Sequence, residues 1–175
     1  MTRMQQNVLD QLIRWHNNWL DSVTTVGSQL WLPDADLSGL NLSGRDIALS
    51  NLERATLDGA NLARAILERA DLAETSLRDA NLRGASLDRA YLFKTIMSGA
   101  DLRGCSLRYA RLDWLFLDEA VLGDIDATGA SGSIVVRNAF WESNGQRRKV
   151  GAWRLTSALE AAGARDIKAV SPPSR

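Results

Sequence analysis

The chain has 175 residues, 21 Lys plus Arg against 21 Asp plus Glu, and 45% hydrophobic residues, which is ordinary globular composition rather than that of a disordered chain. No stretch approaches the roughly 20 apolar residues that span a bilayer. The first apolar segment, Met4 to Leu20, is too often interrupted for a signal peptide, so a cytoplasmic protein is expected. A lone cysteine, Cys105, and a lone histidine, His16, exclude an intrachain disulfide and leave no basis for a Cys/His metal site.

At the N-terminus, Val8, Leu9, Leu12, Ile13, Trp15, Trp19 and Leu20 follow helical spacing. Trp31 and Leu32 lead through Pro33 into the next segment. Residues 1–34 therefore read as a helical N-terminal cap, with a partner-binding helix as the alternative.

From Leu37 an apolar residue recurs every five positions up to Leu122, eighteen times in succession and sixteen times as leucine. A small residue stands two positions earlier in most copies, eleven times as alanine; Leu40, Arg45 and Leu115 are the exceptions. Five steps of about 100° scatter the leucines around a helix, and an odd step alternates the faces of a strand. A chain that turns a corner every five residues accounts for the spacing. Asn41, Asn61, Asn81 and Asp101 recur every 20 residues, so four pentapeptides make one coil. Glycines such as Gly59, Gly84 and Gly99 stand at the fifth position, where a corner needs backbone freedom.

Segments such as Gly59-Ala60-Asn61-Leu62 and Gly99-Ala100-Asp101-Leu102 carry a strong resemblance to the pentapeptide-repeat family. The resemblance implies a mainly β fold, a right-handed quadrilateral β-helix over residues 35–132. Leu57, Leu62, Leu67, Leu72, Leu77, Leu82, Leu87, Leu92, Met97, Leu102 and Leu107 are then structural positions pointing inward. Arg45 breaks the inward rule, as expected of an imperfect first coil covered or distorted by the N-terminal segment.

Beyond the repeat, Ser133–Val136 reads as a strand, and Ala139–Trp141 with Gln146–Val150 reads as a hairpin around Ser143-Asn144-Gly145. Ala152–Ala162 reads as a short helix stopped by Gly163, with Trp153, Leu155, Ala158 and Leu159 as docking residues. Residues 133–170 are thus a small α/β cap, and 171–175 a flexible tail. The middle of the chain (35–124) is mildly acidic at −3, and residues 125–175 carry +4.

No catalytic residue can be assembled: His16 lacks a partner nucleophile, and Cys105 sits in line with inward Ala65 and Ala85. The carboxylates alternate with arginines, as in Glu68, Arg69, Asp88 and Arg89, or Arg83 and Arg103, which suits a mixed-charge solvated surface. Folding the chain at 20 residues per coil stacks Tyr91 over Arg111, Phe93 over Asp113, and Lys94 over Trp114, with Phe116 round the corner. Tyr91, Phe93, Lys94, Arg111, Trp114 and Phe116 are therefore the candidate partner-binding residues. The alternative is that a terminal segment folds back over them.

These readings expect a non-enzymatic protein-binding scaffold without a cofactor. Its partner is another protein, not a nucleic acid or a membrane, and two copies could pair through an end of the rod. The family resemblance raises a second reading, since some bacterial members bind DNA gyrase as acidic mimics of duplex DNA. The arginines within the acidic columns weigh against it, because a mimic must replace regularly spaced phosphates. A third reading is an immunity-type antagonist of a toxin or effector. The run Arg147-Arg148-Lys149 suits a solvated turn better than a nucleic-acid contact.

Overall fold

The computed structural model describes residues 3–22 and 27–170. Helix α1 spans Gln6–Asp21. Its spacing places Leu9, Ile13 and His16 on one buried face, while Val8 and Trp15 turn outward. That buried face lies against the first coil. Arg45, which breaks the inward rule of the repeat, is exposed and pairs with Asp10 of α1 at 2.9 Å.

From Trp31 the chain winds as a four-sided β-helix. In each repeat the residue before the inward leucine bridges in parallel to the residue 20 positions on: Asn41 to Asn61, Asn61 to Asn81, Asn81 to Asp101. The Asn81 N–H donates back to the Ala60 carbonyl at 3.0 Å, and the Leu82 N–H donates forward to Asp101 at 2.9 Å. The Gly84 N–H adds a bond to the Arg103 carbonyl and the Ala85 N–H one to the Leu82 carbonyl, both at 2.9 Å, so four bonds per repeat satisfy the backbone without long strands.

The inward positions from Leu57 to Leu107 are at most 3% exposed. Burial on that scale stabilises by about 1.5–3 kcal/mol per leucine-sized side chain. The inward small positions tolerate polar atoms where a leucine carbonyl lies beneath. Thr75 Oγ1 donates to Leu52 at 2.7 Å, Thr95 Oγ1 to Leu72 at 2.8 Å, and Cys105 Sγ to Leu82 at 2.8 Å.

The recurrence of Asn and Asp before the leucine has a local cause. The Asn61 Oδ1 accepts the Ala63 N–H at 3.2 Å, and Asp71, Asn81 and Asp101 repeat this bond at 3.0–3.2 Å. Such Asx turns prepare the corners where Asn or Asp precedes the leucine. The corner residue then takes a left-handed backbone. Gly59 does so at φ 65°, but Arg64, Arg89 and Lys94 do so too, at 53–59°. The corner therefore demands this conformation in every repeat, and glycine is only its least strained occupant.

The coil outlasts its motif. Strands β1 (Leu115–Phe116) and β2 (Val121–Leu122) fall in the last repeats. Strand β3 (Gly132–Val135) stacks on β1 in parallel, with Ile134 opposite Leu115. Strand β4 (Ala139–Ser143) stacks on β2, with Phe140 opposite Val121. Strand β5 (Gln146–Val150) returns antiparallel along β4. Asn144 and Gly145 both have positive φ, 50° and 70°, the type I′ turn whose twist suits a hairpin.

Helix α2 (Ala152–Ala161) buries Leu155 and Leu159. Trp153, expected to dock beside them, is 76% exposed. At 100° per residue it stands about 200° from Leu155, on the opposite face. Gly163 follows at φ 94°, where a Cβ would meet the Thr128 backbone at 2.9 Å. The chain then forms β6 (Ile167–Val170), a strand absent from the sequence reading, which pairs in parallel with β3. The expected tail, 171–175, lies outside the described residues, as do 23–26 of the expected N-terminal cap.

Candidate functional site

Tyr91 and Phe93 flank inward Leu92, so both project from the same side of one coil. Their rings lie parallel, 6.0 Å apart at 6°. The next coil brings Arg111 beneath Tyr91 through a backbone bridge, and the Arg111 Cζ stands 5.0 Å from the Tyr91 ring. The Lys94 Nζ stands 5.0 Å from the Phe93 ring and 3.7 Å from Glu74. Arg111 also reaches Asp113 at 3.3 Å. The cations are thus held over aromatic faces while remaining exposed, an arrangement that limits the ordering cost of a contact.

Trp114 occupies the corner of this side at φ 61° and is 42% exposed. A bulky left-handed residue is strained, and among the described residues this one is not covered as a core residue would be. Phe116 lies on the adjoining side, bridged to Ile96 and half-buried. Tyr91 and Phe93 are half-buried as well. The structure therefore brings five of the six candidates onto one side and sets Phe116 beyond the corner. Asn51 and Asp71 supply the Asx turn earlier on this side, whereas Tyr91 and Arg111 cannot. The side gives up a local stabilising bond at the two coils where the aromatic cluster stands.

Tyr109, 58% exposed, belongs with this surface although the sequence reading left it out of the site. It holds the corner leading into the same side, and Arg89 Cζ lies 5.8 Å from its ring. Its place at a fifth position was the available signal.

The remaining sides are laced with ion pairs. Asp101 takes Arg103 at 2.6 Å and Arg83 at 3.6 Å, and Arg103 also reaches Glu142 at 2.6 Å. Asp88 is buried and takes Arg108 at 2.5 Å. Burial alone raises its pKa, but hydrogen bonds from Arg108 and Ser106 outweigh that and hold it below the usual carboxylate range. His16 is buried in the N-terminal region, with its Nδ1 accepting the Leu30 N–H at 3.0 Å and its Nε2 donating to the Ala48 carbonyl at 2.8 Å. Burial pushes the Cys105 thiol up to about 12. Among the described residues no group of three or more His, Cys, Asp or Glu could hold a metal ion, and no helix is long and apolar enough to cross a membrane.

A four-sided coil with this ladder defines a class. The family model of pentapeptide repeats matches residues 50–88 and 85–124 in eight copies, so that stretch of the chain is a run of pentapeptide repeats. Similar solved structures are pentapeptide repeat proteins too. One, from the Arabidopsis thaliana thylakoid lumen, is 26% identical over 59% of this chain and 66% of its own, with a TM-score of 0.42. HetL, involved in heterocyst differentiation regulation in the cyanobacterium Nostoc sp. strain PCC 7120, is 32% identical over 58% of this chain and 59% of its own, with a TM-score of 0.33. The chain spans less than two thirds of either protein. Full-length QnrB1, a plasmid-mediated fluoroquinolone resistance protein, is 15% identical over 81% of this chain and 84% of its own, with a TM-score of 0.42. No curated protein matches the sequence.

Proposed function

We propose that the chain is a non-enzymatic scaffold that binds another protein through the side carrying Tyr91, Phe93, Lys94, Arg111 and Trp114. The supporting observation is a cluster of half-buried Tyr91 and Phe93 beside exposed Lys94, Arg111 and Trp114 on a regular coil. Aromatic and arginine side chains dominate binding energy at protein interfaces, and a rigid support spares them ordering entropy. Phe116 and Tyr109 border this surface.

Acidic mimicry of duplex DNA, as a gyrase modulator, fits less well. Arg54, Arg103 and Arg108 pair with Asp34, Asp101 and Asp88, which interrupts the continuous negative face that a mimic of regularly spaced phosphates needs. Gyrase supercoiling left unchanged by the purified protein removes that reading. A toxin recovered as the partner would assign the immunity-type role.

The double variant Phe93→Ser, Trp114→Ser tests the proposal. It should melt within a few degrees of the wild type while losing the partner that wild-type protein captures from its native cell extract. A variant that melts far earlier yet keeps the partner makes the cluster structural.

A further inference from the structure

The hairpin at the far end of the coil carries a second surface, independent of the aromatic side. Among the described residues, strand β5 has a sheet neighbour on one edge only, β4. Ser143 pairs with Gln146 across the two-residue turn, and Trp141 pairs with Arg148. In an antiparallel ladder closed this way, residues 146, 148 and 150 turn their N–H and C=O toward β4. Arg147 and Lys149 turn theirs away from it, toward solvent. Residues 146–149 are all exposed.

The side chains divide by face. Arg147 and Lys149 share a face with Phe140, whose ring lies 4.0 Å from the Arg147 Cζ. Glu142 is the acidic residue of that face, and it is already bound to Arg103. The other face forms one wall of a groove of about 470 Å³, lined by Trp141, Arg148 and Val150 with Ala158 of α2. Among the described residues, Arg147, Arg148 and Lys149 make no ion pair.

We infer that β5 is a strand-addition site for an extended acidic peptide of a partner protein. Such a peptide pairs its backbone with Arg147 and Lys149. Acidic side chains at alternate positions meet the two cations, and the intervening apolar side chains lie on the groove face. The charge excludes the simplest competitor. A second copy of β5 would set three cations against three, and edge lysines are the common device against self-pairing. The same charges select an acidic strand.

The test uses the full chain and a labelled peptide in which glutamate and valine alternate. The peptide should bind with an affinity that falls steeply with salt, and the backbone amides of Arg147 and Lys149 should become protected from exchange. Reversing both charges, Arg147→Glu with Lys149→Glu, should weaken binding at least about tenfold. Lys149→Pro should weaken it well beyond Lys149→Gln, because proline also removes the outward N–H. That N–H does not serve β4, so an unchanged thermal melt should accompany the loss. The inference is overturned if a glutamate peptide interrupted by prolines binds equally well, if a single-stranded oligonucleotide binds more tightly than the peptide, or if the chain forms a dimer that the peptide cannot enter. Phe93→Ser with Trp114→Ser should leave peptide binding intact, so the two proposals can fail separately.

Discussion

The side-chain amide of Gln6 takes the place of a missing strand beneath Asn41. Its Oε1 accepts the Asn41 N–H at 2.8 Å, and its Nε2 donates to the Asn41 carbonyl at 2.9 Å. Higher in the coil those two groups pair with the neighbouring turns, as the Asn61 N–H does with Leu40. At the first coil no turn lies below. An exposed backbone edge invites pairing with another chain, and one glutamine closes part of it.

Gln6→Ala should therefore lower stability by about 1 kcal/mol, the usual net value of a hydrogen bond, allowing for the exposure of this pair. In a chain of this size the melting temperature should fall by about 2–4 °C. Gln6→Glu should recover little, since the carboxylate keeps the acceptor and loses the donor. Thermal denaturation of the three proteins checks this.

His16 predicts a pH dependence. Burial holds it below the usual 6.5, against the opposing pull of the Ala48 carbonyl and the Asp46 carboxylate. The unfolded chain takes up the proton near 6.5, while the folded one resists it to lower pH. Stability should be full above that value and decline as the pH falls from 6.5 toward the folded pKa. A second decline should follow below about 3.8, where Asp36, Asp88, Asp101 and Asp126 are all held under the usual value. Denaturant midpoints measured between pH 8 and pH 3 should show both steps, and His16→Gln should flatten the first.

Cys105 should be chemically silent in the folded protein. Its sulfur is buried, it donates to the Leu82 carbonyl, and thiolate formation is pushed up to about pH 12. Thiol reagents at pH 8 should label it only at the rate of unfolding, and rapidly in denaturant.

The corner conformation can be isolated at Gly59. A Cβ there meets no atom within 4 Å, yet φ is 65°. Gly59→Val should cost about 1–2 kcal/mol from backbone strain alone. Gly59→Asn should cost much less, because asparagine visits this region readily. Equal losses would refute the backbone explanation.

The fold was legible because each repeat obeys the same local chemistry. Leucine supplies burial, alanine permits closure, and Asn or Asp, where present, makes the Asx turn, so spacing alone reveals the coil. Legibility fades where that chemistry stops. Trp153 was assigned to the docked face because composition does not set helical phase when only Leu155 and Leu159 anchor α2. Strand β6 was missed because Ile167–Val170 is short, and its pairing comes from β3, more than thirty positions away.

The five-residue period by itself determined the coil, its inward leucines and the stacking of Tyr91 over Arg111, since these follow from a repeated local geometry. Only the tertiary structure decided what the ends and surfaces do. It placed His16 between Leu30 and Ala48 and Gln6 under Asn41. It also left Trp114 exposed and β5 with an open edge. Each of these depends on where one non-repeating segment comes to rest against the coil, and long-range packing carries no period for a sequence to display.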